Sequence, residues 1–157
     1  MPNLQHNLRK FDYGHLQILA DLWGILLDAP DTRRAVPLLD AKLKNSELLQ
    51  EMVDALPQRA AQALAWLVSE GGKATWALFT RQWGEVREMG PGRRDRERPD
   101  QNPTSPAETL WYRAFLARGF FDTETGPQEF AYIPDDLLEL VSKIVSSPAV
   151  EKGTTPN

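Results

Sequence analysis

The order of local signals between residues 57 and 133 constrains the fold more than any other feature of the sequence. Apolar residues first recur at helical spacing in two segments, which Gly71 and Gly72 separate. A third helical segment starts at Ser105, and two runs of strand composition then flank the turn-forming residues 124–127. The sequence therefore predicts helix, turn, helix, loop, helix and a two-stranded hairpin, in that order.

Residues that favour a first helical turn mark the starts of these helices. Pro57 suits the first position of a helix, where an N–H group is not needed, and Thr75 can cap the second helix. Ser105 and Glu108 have the spacing of a capping box, with Pro106 in the first turn between them. The boundary at Ser105 is therefore predicted from three independent residues.

Helical patterns also flank this stretch. Residues 1–56 contain three apolar patterns of helical spacing, with Asp12, Asp31 and Ser46 as predicted caps, and a last amphipathic helix starts after Pro134. The predicted organisation is a helical unit over 1–56, a second domain over 57–146 with a long loop over 85–104, and a disordered tail over 147–157.

The net charge of −4 is unevenly distributed. Residues 1–56 hold 6 basic and 8 acidic side chains, residues 57–104 hold 8 and 6, and residues 105–157 hold 4 and 8. An acidic protein is a mildly unfavourable partner for nucleic acid, but the middle segment is basic. Contacts with phosphate are therefore expected there.

The predicted long loop has the densest group of cations in the chain, which comprises Arg93, Arg94, Arg96 and Arg98. These arginines can neutralise phosphates, and each such contact makes binding weaker as salt rises. The alternative is a solvated loop in which the interleaved acids pair with the arginines. Those acids are Asp95, Glu97 and Asp100.

The helix that starts at Ser105 has two faces at 100° per residue. Its predicted core face is apolar and comprises Ala107, Leu110, Trp111 and Ala114. On the opposite face, Thr109, Tyr112 and Arg113 are expected to be exposed and able to reach base edges in a major groove. Leu116 shares that face, which fits a protein-binding surface as well as it fits DNA.

A partner-binding surface is the alternative use of the C-terminal third. Its predicted apolar members are Leu116, Leu137, Leu138 and Val141. The hairpin carries Asp122, Glu124 and Glu129 and no Lys or Arg, so it would repel phosphate. On this interpretation the protein forms a homodimer or docks on a protein partner.

Residues 57–145 resemble a winged helix-turn-helix with an enlarged loop before its third helix. Lys73 and Ala74 fit the short first strand of that fold, and the hairpin fits its wing. The phrase from Phe120-Phe121-Asp122 to Phe130-Ala131-Tyr132-Ile133-Pro134 is similar to hairpins in winged-helix regions of bacterial XPB-type helicase-associated proteins. The fold expected from pattern and resemblance is mainly α: an N-terminal helical unit, then a winged helix-turn-helix with a two-stranded wing and a C-terminal helix.

Residues 14–44 resemble a SAP-like helix-extension-helix, a small module often found on DNA. Its basic residues are Arg33, Arg34, Lys42 and Lys44. The sequence has no G-x-x-x-x-G-K-[ST] phosphate loop. The two resemblances together imply an accessory to a helicase or to transcription or repair machinery, not a motor.

Most enzyme and metal sites depend on residues that this sequence lacks. It has no Cys and only two His, and no nucleophile with a neighbouring base can be assembled from its motifs. No apolar run reaches the roughly 18 residues of a membrane span, and the first residues lack the layout of a secretory signal. We therefore expect a non-enzymatic, cytoplasmic DNA-binding protein with no cofactor, metal, membrane association or small-molecule substrate.

Overall fold

The computed structural model describes residues 1–145, which form mainly α-helices and one small three-stranded antiparallel sheet. This confirms the predicted mainly α class. The predicted tail over 147–157 lies outside the described residues. Within them, no helix combines the length and the apolar character that a membrane crossing requires.

Four helices form the N-terminal part of the chain: α1 (Leu4–Leu8), α2 (Tyr13–Trp23), α3 (Thr32–Leu43) and α4 (Ser46–Asp54). Asp31 caps α3 by accepting from the Arg34 N–H, as predicted. Asn45, not Ser46, caps α4. Asp12 stands at the N-cap position of α2 but makes no capping hydrogen bond, because its carboxylate binds an arginine described below.

The rest of the described chain contains five helices and three strands: α5 (Gln58–Ser69), β1 (Lys73–Thr75), α6 (Trp76–Trp83), α7 (Pro91–Glu97), α8 (Pro106–Tyr112), β2 (Ala117–Thr123), β3 (Gly126–Tyr132) and α9 (Asp135–Val145). The predicted stub strand at Lys73 and the predicted hairpin are both confirmed. The hairpin strands are longer than predicted, and they turn tightly between Thr123 and Gly126. Gly126 has φ +111, a conformation that favours glycine.

The sheet has the order β1-β3-β2, so β3 lies in the centre. Tyr132 of β3 lies opposite Lys73 of β1 on one side and opposite Ala117 of β2 on the other. The short strand after α5 is thereby joined to the hairpin that follows α8. This pairing brings α5, α6, α8 and the hairpin into one packed unit.

The segment over 85–104, predicted to be an irregular loop, contains the helix α7. The prediction is therefore wrong for Pro91–Glu97. Gly90 is the N-cap of α7 and Pro91 takes the first helical position, where its missing N–H is harmless. The helix ends at Arg98, whose φ of 51° is left-handed. Gly-Pro-Gly therefore starts a helix here and does not merely form a turn.

Residues on both sides of the predicted boundary at 56 contribute to one hydrophobic core. The N-terminus is also bonded to the end of the chain's described part. The Leu4 N–H donates to the Asp136 carboxylate over 2.8 Å, and the Tyr132 hydroxyl donates to the Asn7 side-chain oxygen over 2.8 Å. Trp23 of α2 donates to the Arg113 carbonyl oxygen over 3.1 Å. These contacts fix the N-terminal helices against the sheet and α8.

Candidate functional site

The arginines of residues 93–98 are mostly engaged inside the protein. Arg94 is only 4% exposed and donates two hydrogen bonds to the Asp12 carboxylate, over 2.8 and 3.1 Å. The hydrogen bond from Arg94 holds the pKa of Asp12 below its ordinary value. The prediction that Arg94 contacts phosphate is therefore wrong, because its charge is already neutralised beneath the surface.

The neighbouring arginines pair as the alternative interpretation proposed. Arg93 binds Glu97 over 2.8 Å and Arg98 binds Asp100 over 2.8 Å. Arg96 is exposed and is the one member of the group without an ion pair among residues 1–145. The four side chains therefore do not form a shared cationic surface.

The predicted reading face of α8 is closed. Thr109 is 5% exposed and Tyr112 is 4% exposed, so the prediction that these side chains face a DNA groove is wrong. The Tyr112 ring lies 5.3 Å from the His15 ring, and the Thr109 hydroxyl donates to the Ser105 carbonyl oxygen. Arg113 is half-buried and donates to the Thr109 carbonyl oxygen over 3.2 Å, and burial lowers its pKa.

A buried carboxylate holds residues 85–104 over this face. Glu108 is fully buried and accepts from the Arg87 guanidinium over 2.7 Å, from the Arg87 N–H over 2.9 Å and from the Thr104 N–H over 3.0 Å. Burial alone would raise the pKa of Glu108, but these hydrogen bonds outweigh it and the net shift is downward. Only half of the predicted capping box is present, because Ser105 accepts from the Glu108 N–H while Glu108 binds Arg87 and Thr104.

The predicted partner surface is also buried. Leu116 is 2% exposed, and Leu137 and Val141 are fully buried in the core. Leu138 is half-buried and packs against Gly72, so closely that a Cβ atom at Gly72 would overlap its side chain. These leucines and the valine hold α9 against the protein, so the prediction that they form an exposed docking surface is wrong.

An open cleft of about 360 Å³ is bounded by α2, α6, α8, β2 and residues 86–94. Five rings line it: Phe11, His15, Trp76, Trp111 and Tyr112. Phe11 stacks face to face on His15 with 3.9 Å between ring centroids and 1° between planes. Trp76 meets Trp111 edge to face at 6.3 Å. The rings thus come from α2, α6, α8 and the chain just before α2, and residues 86–94 and Arg118 of β2 complete the lining.

Charged side chains also line the cleft: Lys10, Asp12, Arg87, Glu88, Arg94 and Arg118. Arg118 of β2 lies 4.4 Å above the Trp76 ring and binds Glu129 over 2.7 Å and Glu88 over 3.1 Å. Lys10 is exposed and makes no ion pair within residues 1–145. The cleft therefore combines ring surfaces, a planar guanidinium and one available ammonium group.

His15 has an unpaired polar atom buried beside this cleft. Its Nε2 atom is buried and has no hydrogen-bond partner within residues 1–145. Burial lowers the pKa of His15 to about 4, so the ring is neutral at pH 7. An unpaired buried polar atom costs free energy unless a partner arrives.

Within the described residues, no group of three or more His, Asp or Glu side chains has the spacing of a metal site.

These features define a mainly helical protein with an aromatic and cationic cleft beside a small sheet. The chain matches no protein family, and neither a curated protein nor a solved structure is significantly similar to it. The cleft and the order of the elements are the features that bear on function.

Proposed function

We propose that residues 57–145 form a winged helix-turn-helix. The order α5, β1, α6, α8, β2, β3 and the sheet order β1-β3-β2 support this proposal, since the short strand before the second helix joins the hairpin. In this assignment α8 is the third helix, the β2–β3 hairpin is the wing, and α7 belongs to an insertion before α8.

We further propose that the protein is a non-enzymatic nucleic-acid-binding accessory whose contact surface is the cleft. The cleft carries this proposal because it places half-buried Phe11 and Trp111 beside Lys10, a cation with no ion pair within residues 1–145. Aromatic faces next to cations are the usual components of sequence-tolerant nucleic-acid sites. The predicted reading face of α8 does not act as an exposed face here, since Thr109 is buried outside the cleft and Tyr112 is the buried inner ring of the cleft's stack.

Fluorescence anisotropy tests this function. Labelled single-stranded and duplex DNA of one sequence are titrated with the protein at about 50 and 200 mM salt. We expect saturable binding of at least one of them, weaker at the higher salt. If neither the single-stranded nor the duplex DNA binds at the lower salt, the proposed function is wrong.

A protein-interaction module is the second candidate. Phe120 on β2 is 70% exposed, although a large apolar ring is normally buried, and Glu129 opposite it in the hairpin is already paired with Arg118. A surface built around Phe120 would bind an apolar partner or a second copy of the chain. Light scattering on the purified protein and on Phe120→Ser distinguishes this candidate, because it expects a dimer that the substitution dissociates.

A further inference from the structure

We infer that the cleft holds one unpaired nucleotide of a single strand, with the base against Phe11 and its phosphate beside Lys10. The inference rests on the proposed function and narrows it to a ligand class. Single-stranded DNA or RNA supplies such a nucleotide, whereas a closed duplex does not.

The ring stack at the cleft supports the placement of the base against Phe11. Phe11, His15 and Tyr112 form a continuous stack, with 1° between the first two rings and 24° between the second and third. Phe11 is its outer ring, is half-buried and has no second ring neighbour among residues 1–145. A flat base placed on Phe11 would extend the stack by one member.

Only a base with a free face can stack on Phe11, and this requirement favours single strands over duplex. Bases inside a duplex are stacked on both faces, so a protein ring can reach them only after they leave the helix. The cleft volume of about 360 Å³ is near the lower end of the range for small-ligand sites, about 300–1,000 Å³. It therefore suits a single nucleotide and not the width of a double helix.

The charges and the ring stack fit a base with one phosphate better than they fit an acidic peptide. Arg87, Arg94 and Arg118 are already paired with acids, so they offer little charge to a polyanion of any kind. Lys10 has no ion pair in the described part of the chain and can bind one phosphate. An acidic side chain has no flat ring to place on Phe11, so the stack favours a base.

Stacking is tested with a labelled single-stranded octamer, its duplex form and an octamer of abasic sites that keeps the phosphates. We expect the single strand to bind at least about 5-fold more tightly than the abasic octamer, the weakest effect usual for one stacked base. Phe11→Leu should cause a similar loss, and Phe11→Tyr, which keeps the ring face, should retain binding. Equal thermal unfolding of the two variants ensures that the loss reports on the ring.

The phosphate contact is tested through the salt dependence. Each phosphate bound on a single strand contributes about −0.7 to the slope of log affinity against log salt. Lys10→Gln should make the slope shallower by about that amount. Lys42→Gln is the matched control, because Lys42 is an exposed lysine of α3 that does not line the cleft. The control should leave the slope unchanged.

Failure of the inference differs from failure of the proposed function. If the protein binds DNA but duplex binds more tightly than single strand, or if Phe11→Leu and Lys10→Gln bind as wild type does, the inference is wrong and the function stands. If no nucleic acid binds and a poly-glutamate peptide does, both are wrong and a protein partner replaces them.

Discussion

The arginines of residues 85–104 and the lysine of the cleft differ in how their charges are used. Arg87 is paired with the buried Glu108, and the buried Arg94 is paired with Asp12. Lys10 has no ion pair within residues 1–145 and lines the same cleft as the half-buried Trp111. The segment with the most arginines is thus neutralised inside the protein, and the available charge comes from a lysine outside it. Density of cations in a sequence does not indicate binding unless those cations stay unpaired.

The largest expected effect concerns His15, which lines the cleft. Its folded-state pKa of about 4 lies below the ordinary value of about 6.5, so the unfolded chain takes up the proton first as pH falls. The contribution of His15 to stability is therefore fully present above about pH 6.5. As the pH falls to about 4, the free energy of unfolding decreases by up to about 3 kcal/mol.

Urea unfolding of wild type and His15→Phe between pH 7 and pH 4 checks this prediction. The variant keeps a ring in the stack but cannot take up a proton, so its stability should fall less over this range. Parallel pH profiles of the two proteins would show that His15 is not the buried neutral base described above.

A smaller loss is expected from Glu108→Ala, beneath residues 85–104. The substitution removes the acceptor for Arg87 and for the Thr104 N–H, and should lower the free energy of unfolding by about 2 kcal/mol. Asp95→Asn is the control, because the Asp95 carboxylate is well exposed and its pair with Arg94 is secondary. If both variants unfold at the same urea concentration, Glu108 does not hold residues 85–104 against α8.

A weaker, acid-dependent effect is expected from Asp12→Asn. Arg94 lowers the pKa of Asp12, so the pair stabilises the fold above the ordinary carboxylate range and is lost as pH falls through the lowered value. Because Asp12 is partly exposed, solvent screens the pair and the effect is small. Wild type should therefore be slightly more stable than the variant at pH 7, and the two should converge in strong acid. A difference that grows with acid would contradict the pairing.

The smallest effect is expected from the double change Arg93→Gln with Arg96→Gln. Both side chains are exposed on α7 and do not line the cleft. Single-strand affinity should change by less than about 2-fold, because neither cation is near the proposed phosphate. A 10-fold loss of affinity in the anisotropy titration would indicate that this segment is the contact surface, as the sequence alone suggested.

Elements with local signals could be predicted from the sequence. Ser105 and Pro106 start α8 where the pattern placed it, and the turn composition at 124–127 located the hairpin. The missing helix α7 shows the limit of this reasoning. Gly90 and Pro91 are usual turn residues, and only their positions as N-cap and first helical residue distinguish a helix start from a turn.

The site could not be predicted, because its residues come from distant segments. Phe11, Trp76 and Trp111 meet only after α2, α6 and α8 pack, and no spacing in the sequence links them. The two faces of α8 were misassigned for a related reason. Helical periodicity distinguishes apolar from polar faces, but here the chain covers the polar face with residues 85–104 and leaves Trp111 beside a cleft.

The most direct test of the central claim, that the cleft is the contact surface, uses the five tryptophan indole N–H signals in an NMR titration. On addition of a single-stranded octamer, the signals of Trp76 and Trp111 should shift. The Trp23 signal, whose N–H is bonded to the Arg113 carbonyl oxygen, should stay in place. Shifts confined to backbone signals of Arg93 to Arg98, with Trp76 and Trp111 unchanged, would contradict the claim.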